Sequence, residues 1–277
     1  MPTAVRAPVG IFDSGLGGLS VLRHVHRLLP HEALVYAADS AFAPYGGKDQ
    51  ATVLARTVAM ADFLVAQQVK ALVIACNTAT AGAIVELRKR YPALPVVGVE
   101  PGLKPAALRT KSGTIGVLAT ERTLASSRFM ALEAQIAEAG GVRFIRQPCP
   151  GLADQVEKGE LHSAATMALV KRYVDPLIAA GADTLVLGCT HYPFLIPQIE
   201  AAAGRAGAPG LAIVDTGDAV ARQLARVLAE HGLLAPPSAT LPAMAAWTTG
   251  SASSLSMAMR KLLQLTVPAK RIAERPD

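Results

Sequence analysis

The chain has 277 residues, 51% hydrophobic and 17% charged, with a formal net charge of +6. That length suits one large domain or two of ordinary size, and so apolar a composition excludes a disordered chain. No apolar run reaches the ~18–20 residues of a bilayer span, and residues 1–8 lack the apolar core of a signal peptide, so a soluble, cytoplasmic protein without a membrane partner is expected.

Short apolar runs alternate with helical patterns along the whole chain, the signature of parallel sheets flanked by helices. Strands are predicted at 9–13, 34–39, 71–76, 95–100, 114–119, 142–147, 184–189 and 211–215, with the apolar residues before Pro8 joined to the first of them. Helices are predicted at 48–67, 79–90, 121–139, 161–179 and 218–231, then a last strand at 245–250 and a helix at 251–265. Residues 203–210, rich in Gly and Ala, read as a turn and 270–277 as a loose tail.

The sequence also resembles itself. Val9-Gly10-Ile11-Phe12-Asp13-Ser14 is similar to Ile115-Gly116-Val117-Leu118-Ala119-Thr120, and Ala71-Leu72-Val73-Ile74-Ala75-Cys76-Asn77-Thr78 to Thr184-Leu185-Val186-Leu187-Gly188-Cys189-Thr190-His191. The expected fold is therefore α/β, with two pseudo-symmetric doubly wound domains on parallel sheets and the active site in the cleft between them.

The three cysteines are too few and too far apart for a secreted disulfide framework, and no metal-binding Cys/His spacing occurs. Basic residues are scattered apart from Leu87-Arg88-Lys89-Arg90 and Lys270-Arg271. Runs so short are usually solvated faces, so nucleic acid is not an expected partner, while the positive balance suits small anions.

In open α/β sheets ligands bind beyond the carboxyl ends of the strands. Asp13-Ser14, Cys76-Asn77-Thr78 and Cys189-Thr190-His191 all fall at such ends. Both cysteines read as last strand residues followed by helix-capping polar residues. A helix N-terminus lowers a thiol pKa, and two such thiols facing one cleft could take a proton from one face of a carbon and return it to the other. Cys149, between two prolines, has no counterpart and reads as structural. His191 could orient or deprotonate Cys189. Glu157, taken alone, reads as a solvated helix residue. The glycines of Ser14-Gly15-Leu16-Gly17-Gly18 allow backbone amides close to an anion. A dinucleotide loop is the rival there, with Asp39 as its ribose acid, although Ser20 replaces the third glycine and Asp13 would repel a pyrophosphate. Pro44-Tyr45-Gly46-Gly47-Lys48 is a turn whose amides could meet a carboxylate.

Together, Asp13-Ser14-Gly15-Leu16-Gly17-Gly18, Pro44-Tyr45-Gly46-Gly47-Lys48, Ala75-Cys76-Asn77-Thr78-Ala79 and Gly188-Cys189-Thr190-His191-Tyr192-Pro193 resemble the glutamate racemases. Val99-Glu100-Pro101-Gly102-Leu103-Lys104-Pro105 and Gly116-Val117-Leu118-Ala119-Thr120 extend the resemblance over roughly 9–265. It implies that the last stretch of chain returns to the first domain, with boundaries 1–102 with 216–277 for the first domain and 103–215 for the second. It implies an isomerase acting on glutamate with no cofactor and no metal, supplying D-glutamate for peptidoglycan, cell-wall biogenesis and cell shape. It implies Cys76 and Cys189 as the catalytic acid/base pair, Cys76 taking the proton from D-glutamate and Cys189 from L-glutamate. Asp13, Ser14, Tyr45, Gly46, Asn77, Thr78, Thr190 and His191 would hold the substrate, and Asp13, His191 and Glu157 would assist the thiols. An aspartate or hydantoin racemase, a one-thiol decarboxylase of the same fold, and a binding protein that regulates a nucleic-acid enzyme stand as alternatives. A homodimer is left open.

Overall fold

The computed structural model describes residues 2–238 and 242–273. The chain divides into two compact units, Met1–Val99 with Gly217–Asp277, and Glu100–Thr216. The first unit begins with α1 (Pro2–Arg6), β1 (Val9–Asp13), α2 (Leu19–Leu28), β2 (Leu34–Ala38), α3 (Gln50–Ala66), β3 (Ala71–Ile74), α4 (Asn77–Arg90) and β4 (Val96–Gly98). The second contains α5 (Leu103–Ala107), β5 (Thr114–Ala119), α6 (Glu121–Leu124), α7 (Ser127–Gly140), β6 (Arg143–Pro148), α8 (Leu152–Glu157), α9 (Ala164–Ala179), β7 (Thr184–Gly188), α10 (Ile196–Arg205) and β8 (Ala212–Val214). The chain then completes the first unit with α11 (Gly217–Glu230), β9 (Met244–Thr248), α12 (Ala252–Leu263) and β10 (Ala269–Arg271).

Both sheets are parallel, in the orders β10-β9-β2-β1-β3-β4 and β6-β5-β7-β8. Parallel strands are covered by helices on both faces and so read as unbroken apolar runs; every residue of β1, β2, β3 and β7 is buried. The edge strand β6, by contrast, is half-exposed to exposed.

One strand order runs through both units, because β2-β1-β3-β4 corresponds to β6-β5-β7-β8. The register agrees residue for residue with the internal sequence likeness: Phe12 pairs with Ile74 in one sheet, Leu118 with Leu187 in the other. In each unit the order reverses between the first strand and its third-strand neighbour (β1 and β3, or β5 and β7), which opens a crevice at their carboxyl ends.

Several expected boundaries move, each for a local reason. The predicted helix 121–139 is two helices, because Ser126 caps α7 by accepting the Phe129 N–H at 3.2 Å. Helix 161–179 starts at Ala164, where Ser163 caps it in the same way. The segment joined to the first strand is helical instead: Pro8 has no N–H to pair, and the ladder starts with the Val9 N–H on the Ala33 carbonyl at 2.8 Å. The turn expected at 203–210 starts only after Arg205, since alanines favour continuing α10. Part of the expected tail is strand β10, which satisfies the open edge of β9; residues 274–277 lie outside the described residues. Among the described residues no helix is long and apolar enough to cross a membrane.

A buried ion pair closes the end of the first sheet opposite the crevice. Lys70 Nζ lies 2.5 Å from Glu32 Oε2, with side chains 2% and 1% exposed, and donates to the Val5 carbonyl at 2.6 Å. Glu32 Oε1 accepts the Ala235 N–H at 2.8 Å. Removing one partner strands a charge out of water, so Lys70→Met should cost about 3–5 kcal/mol. Urea unfolding of the two proteins measures this, and a loss below ~1 kcal/mol would show that Glu32 finds solvent instead.

Candidate active site

In the first unit the crevice is lined from β1 and β3. Asp13 is the last residue of β1 and fully buried. Its Oδ1 accepts from the Gly15 N–H at 2.8 Å and from the Ser14 hydroxyl at 3.5 Å. The Tyr36 hydroxyl donates to the Gly15 carbonyl at 2.8 Å and fixes the turn. A Cβ on Gly18 would lie 2.4 Å from the Asp13 Cβ, so the glycine is required by the aspartate's position. Asp13 thus occupies an amide that a pyrophosphate would need, and Asp39 is consumed by four hydrogen bonds of its own. Both facts overturn the dinucleotide alternative.

Cys76 lies two residues past the end of β3 rather than on it, and serves as N-cap of α4. Its Sγ accepts the Ala79 N–H at 3.5 Å, so the positive end of a 14-residue helix faces the sulfur. Asn77 and Thr78 follow in the first turn, 5% and 3% exposed. Among the described residues neither Nδ2 nor Oδ1 of Asn77 has a hydrogen-bond partner. A buried amide left so costs about 1–3 kcal/mol per group, which makes Asn77, next in sequence to Cys76, a candidate for binding a ligand. Tyr45 opens a short turn, Tyr45–Gly47, with Gly46 half-buried. Its ring is buried and its hydroxyl donates to Asp39 at 2.6 Å. Burial, then Asp39 and Cys76, push the phenol far above its ordinary pKa and keep it neutral.

In the second unit β7 ends at Gly188, one residue short of the predicted strand, and Cys189 directly follows it. Gly188 before it is needed because a Cβ would sit 2.8 Å from that of Ala119. Thr190 and His191 are buried. His191 Nδ1 lies 3.5 Å from Cys189 Sγ, and Nε2 lies 2.6 Å from Glu157 Oε1 at the end of α8. Burial alone would lower the imidazole pKa, but Cys189 and Glu157 outweigh it and hold His191 well above the usual value. Glu157 is accordingly no solvated helix residue; its side chain is only 16% exposed. Nothing in its local sequence signals this, because its partner lies 34 residues away. Cys149 is buried, donates to the Gln147 carbonyl at 3.3 Å, and its thiol is pushed up by burial and then by Cys189.

The first unit therefore gathers Asp13, Ser14, Tyr45, Gly46, Cys76, Asn77 and Thr78, and the second Glu157, Cys189, Thr190 and His191. Among the described residues no group of three His, Cys, Asp or Glu is arranged to hold a metal ion. Asp39, Arg56 and Thr249, which tie the Tyr45 loop down, carry no sequence signal for that role.

Fold and site define a duplicated α/β protein with one strand-end thiol in each half. The chain belongs to the Asp/Glu/Hydantoin racemase family, whose model matches residues 10–224. It is 51% identical over 260 residues to a glutamate racemase of Ectopseudomonas mendocina, covering 93% of this chain and 95% of that one. A glutamate racemase isoform from Bacillus anthracis has a crystal structure similar to this one, with a TM-score of 0.85, 32% identity and coverage of 96% and 97% of the two chains. The Escherichia coli glutamate racemase, crystallised with L-glutamate and the activator UDP-MurNAc-ala, gives 0.82 at 31% identity, covering 96% and 97%.

Raised by its partners, the His191 imidazolium adds stability that is complete below the unfolded pKa of ~6.5 and disappears as pH climbs through the folded value. Glu157→Gln should lower the imidazole midpoint, read by NMR, by about one unit or more. The fall in urea stability with rising pH starts near the unfolded value in both proteins, and in the variant it should be smaller and end at a lower pH. An unchanged midpoint would show that Glu157 does not hold the charge.

Proposed function

We propose that the protein interconverts L- and D-glutamate by moving the α-proton between Cys76 and Cys189, with no cofactor. The observation that carries this reading is the equivalence of the two sulfurs: each follows the same strand of a repeated sheet, at a register shared by the two halves. An inversion at carbon needs two acid/bases of like reach, one for each face, and a duplicated fold supplies them. The glutamate racemases to which the chain is similar, in sequence and in structure, support glutamate as substrate.

In this mechanism one sulfur begins as thiolate and the other as thiol, and each turnover exchanges the two states. Cys76 takes the proton from D-glutamate while Cys189 donates to the opposite face; the reverse reaction starts at Cys189. Removing so weakly acidic a proton builds charge toward the α-carboxylate, which fixed donors must stabilise. Asn77, Thr78, Ser14, Thr190 and the Tyr45-Gly46 amides are those donors, the unpaired Asn77 amide first among them. His191, steadied by Glu157, holds positive charge beside Cys189. Asp13, held in the β1 turn by the Gly15 amide, assists the thiols. The reaction would take place in the cytoplasm and supply D-glutamate to peptidoglycan synthesis.

Circular dichroism of either glutamate enantiomer with dialysed protein tests the activity. Signal should decay to zero from both sides, whereas revival only by added pyridoxal phosphate would refute the cofactor-free route. Aspartate should react at least about a hundredfold more slowly, since a shorter side chain leaves buried donors unpaired. Comparable rates would favour the aspartate alternative.

Replacing either cysteine by Ala should lower racemisation in both directions by ~10²–10⁴-fold or more. Each variant should keep at most a slow exchange of the α-hydrogen with D₂O, in opposite enantiomers. A folded Cys189→Ala protein racemising at the parental rate would remove that thiol from the mechanism.

A further inference from the structure

Asp39, just past β2, is fully buried, yet the proton transfer gives it no task. Its Oδ2 accepts from the Tyr45 hydroxyl at 2.6 Å and from Arg56 Nε at 2.9 Å. Its Oδ1 accepts from Arg56 Nη2 at 2.7 Å and from Thr249 Oγ1 at 2.8 Å. Four donors fill the lone-pair sites of a carboxylate, so no ligand can recruit it directly.

The same groups reach the chain between Asp39 and Tyr45 at other points. The Arg56 guanidinium lies 3.7 Å over the Phe42 ring. Thr249 Oγ1 also accepts the Ala41 N–H at 3.2 Å, and the Asp39 carbonyl takes the Phe42 N–H at 2.9 Å. A loop without strand pairing is thus held at Asp39, Ala41, Phe42 and Tyr45 by one salt-bridged centre. Stability alone is a poor reason for such a centre, since apolar packing commonly replaces a buried ion pair at no loss. Direction is the better reason: a bidentate guanidinium fixes the carboxylate plane, and that plane fixes the phenol.

We propose that Asp39 and Arg56 are positioning residues, acting through the Tyr45 hydroxyl and Thr249 to aim the Tyr45-Gly46 amides at a substrate carboxylate. The assignment rests on the glutamate reading of the site. Tyr45 then contributes through its backbone, and its side chain is the tether. Loosening the tether weakens binding of both enantiomers alike, because their carboxylate is the same group, and leaves the two thiols their chemistry.

The test compares the parent with Tyr45→Phe, which deletes one hydroxyl, and with Arg56→Lys and Arg56→Met. Steady-state kinetics by circular dichroism and amide hydrogen exchange over residues 41–48 are measured on each. In Tyr45→Phe the KM for both enantiomers should rise about 5–20-fold with kcat changed less than about threefold, and the 45–48 amides should exchange at least about tenfold faster. Arg56→Lys, which keeps the charge and loses the fork, should fall between the parent and Arg56→Met in KM. A folded Tyr45→Phe protein with parental KM overturns the proposal, as does parental exchange of the loop. A fall in Tm and kcat with KM untouched overturns it too, in favour of a structural role. Should the parent not turn over glutamate, the functional reading fails by itself, and the exchange data still decide whether the centre holds the turn.

Discussion

Register between β1 and β3, and its counterpart between β5 and β7, governs what reaches the crevice. Side chains on a strand alternate between faces, so slipping one strand by a single residue would turn its whole buried set outward. The strands here are buried on both faces, and their pairing is set where large residues meet small ones. Gly116 against Leu185 is such a point, where a Cβ would lie 2.6 Å from the leucine, and so is Gly10 against Leu72, at 3.3 Å. Once Phe12 faces Ile74, and Leu118 faces Leu187, the chain beyond each third-position strand delivers a sulfur at the same height.

Equivalent positions do not mean equivalent surroundings. Cys76 faces the amino end of a long helix, a fixed dipole that cannot itself change protonation. Cys189 is followed by a short 3-10 turn, Tyr192–Leu195, without a side-chain cap, and takes its support from an imidazole backed by a carboxylate. One sulfur is thus held by backbone and the other by a titratable group. The duplicated scaffold fixes where the thiols stand, while each half supplies its own electrostatics.

Much of this was legible in the sequence, because the signals are local. Every predicted strand exists, since a doubly covered parallel strand is an apolar run between turn residues, and the matched segments around Cys76 and Cys189 fall on corresponding strands. Helix starts were misplaced where a serine competed as a cap, as at Ser126 and Ser163. The pairing of Glu157 with His191 escaped because a lone glutamate on an amphipathic helix has no distinguishing neighbour. Asp39 was visible as a strand-end acid, but only the fold reveals that Arg56 and Thr249 fill it from distant parts of the chain.

The chain leaves the first unit after β4 and returns only at α11, so β2 receives its outer neighbour β9 from the far end of the sequence. A ribosome releases these parts in order. While the second unit is being made, the outer edge of β2, apolar along its length, has no partner from its own sheet. An open apolar edge on a nascent chain invites pairing with other chains. The second unit, continuous in sequence, has all its strands long before the first does. Vectorial synthesis therefore sets a fixed order of completion, in which the half carrying Cys76 is the last to close.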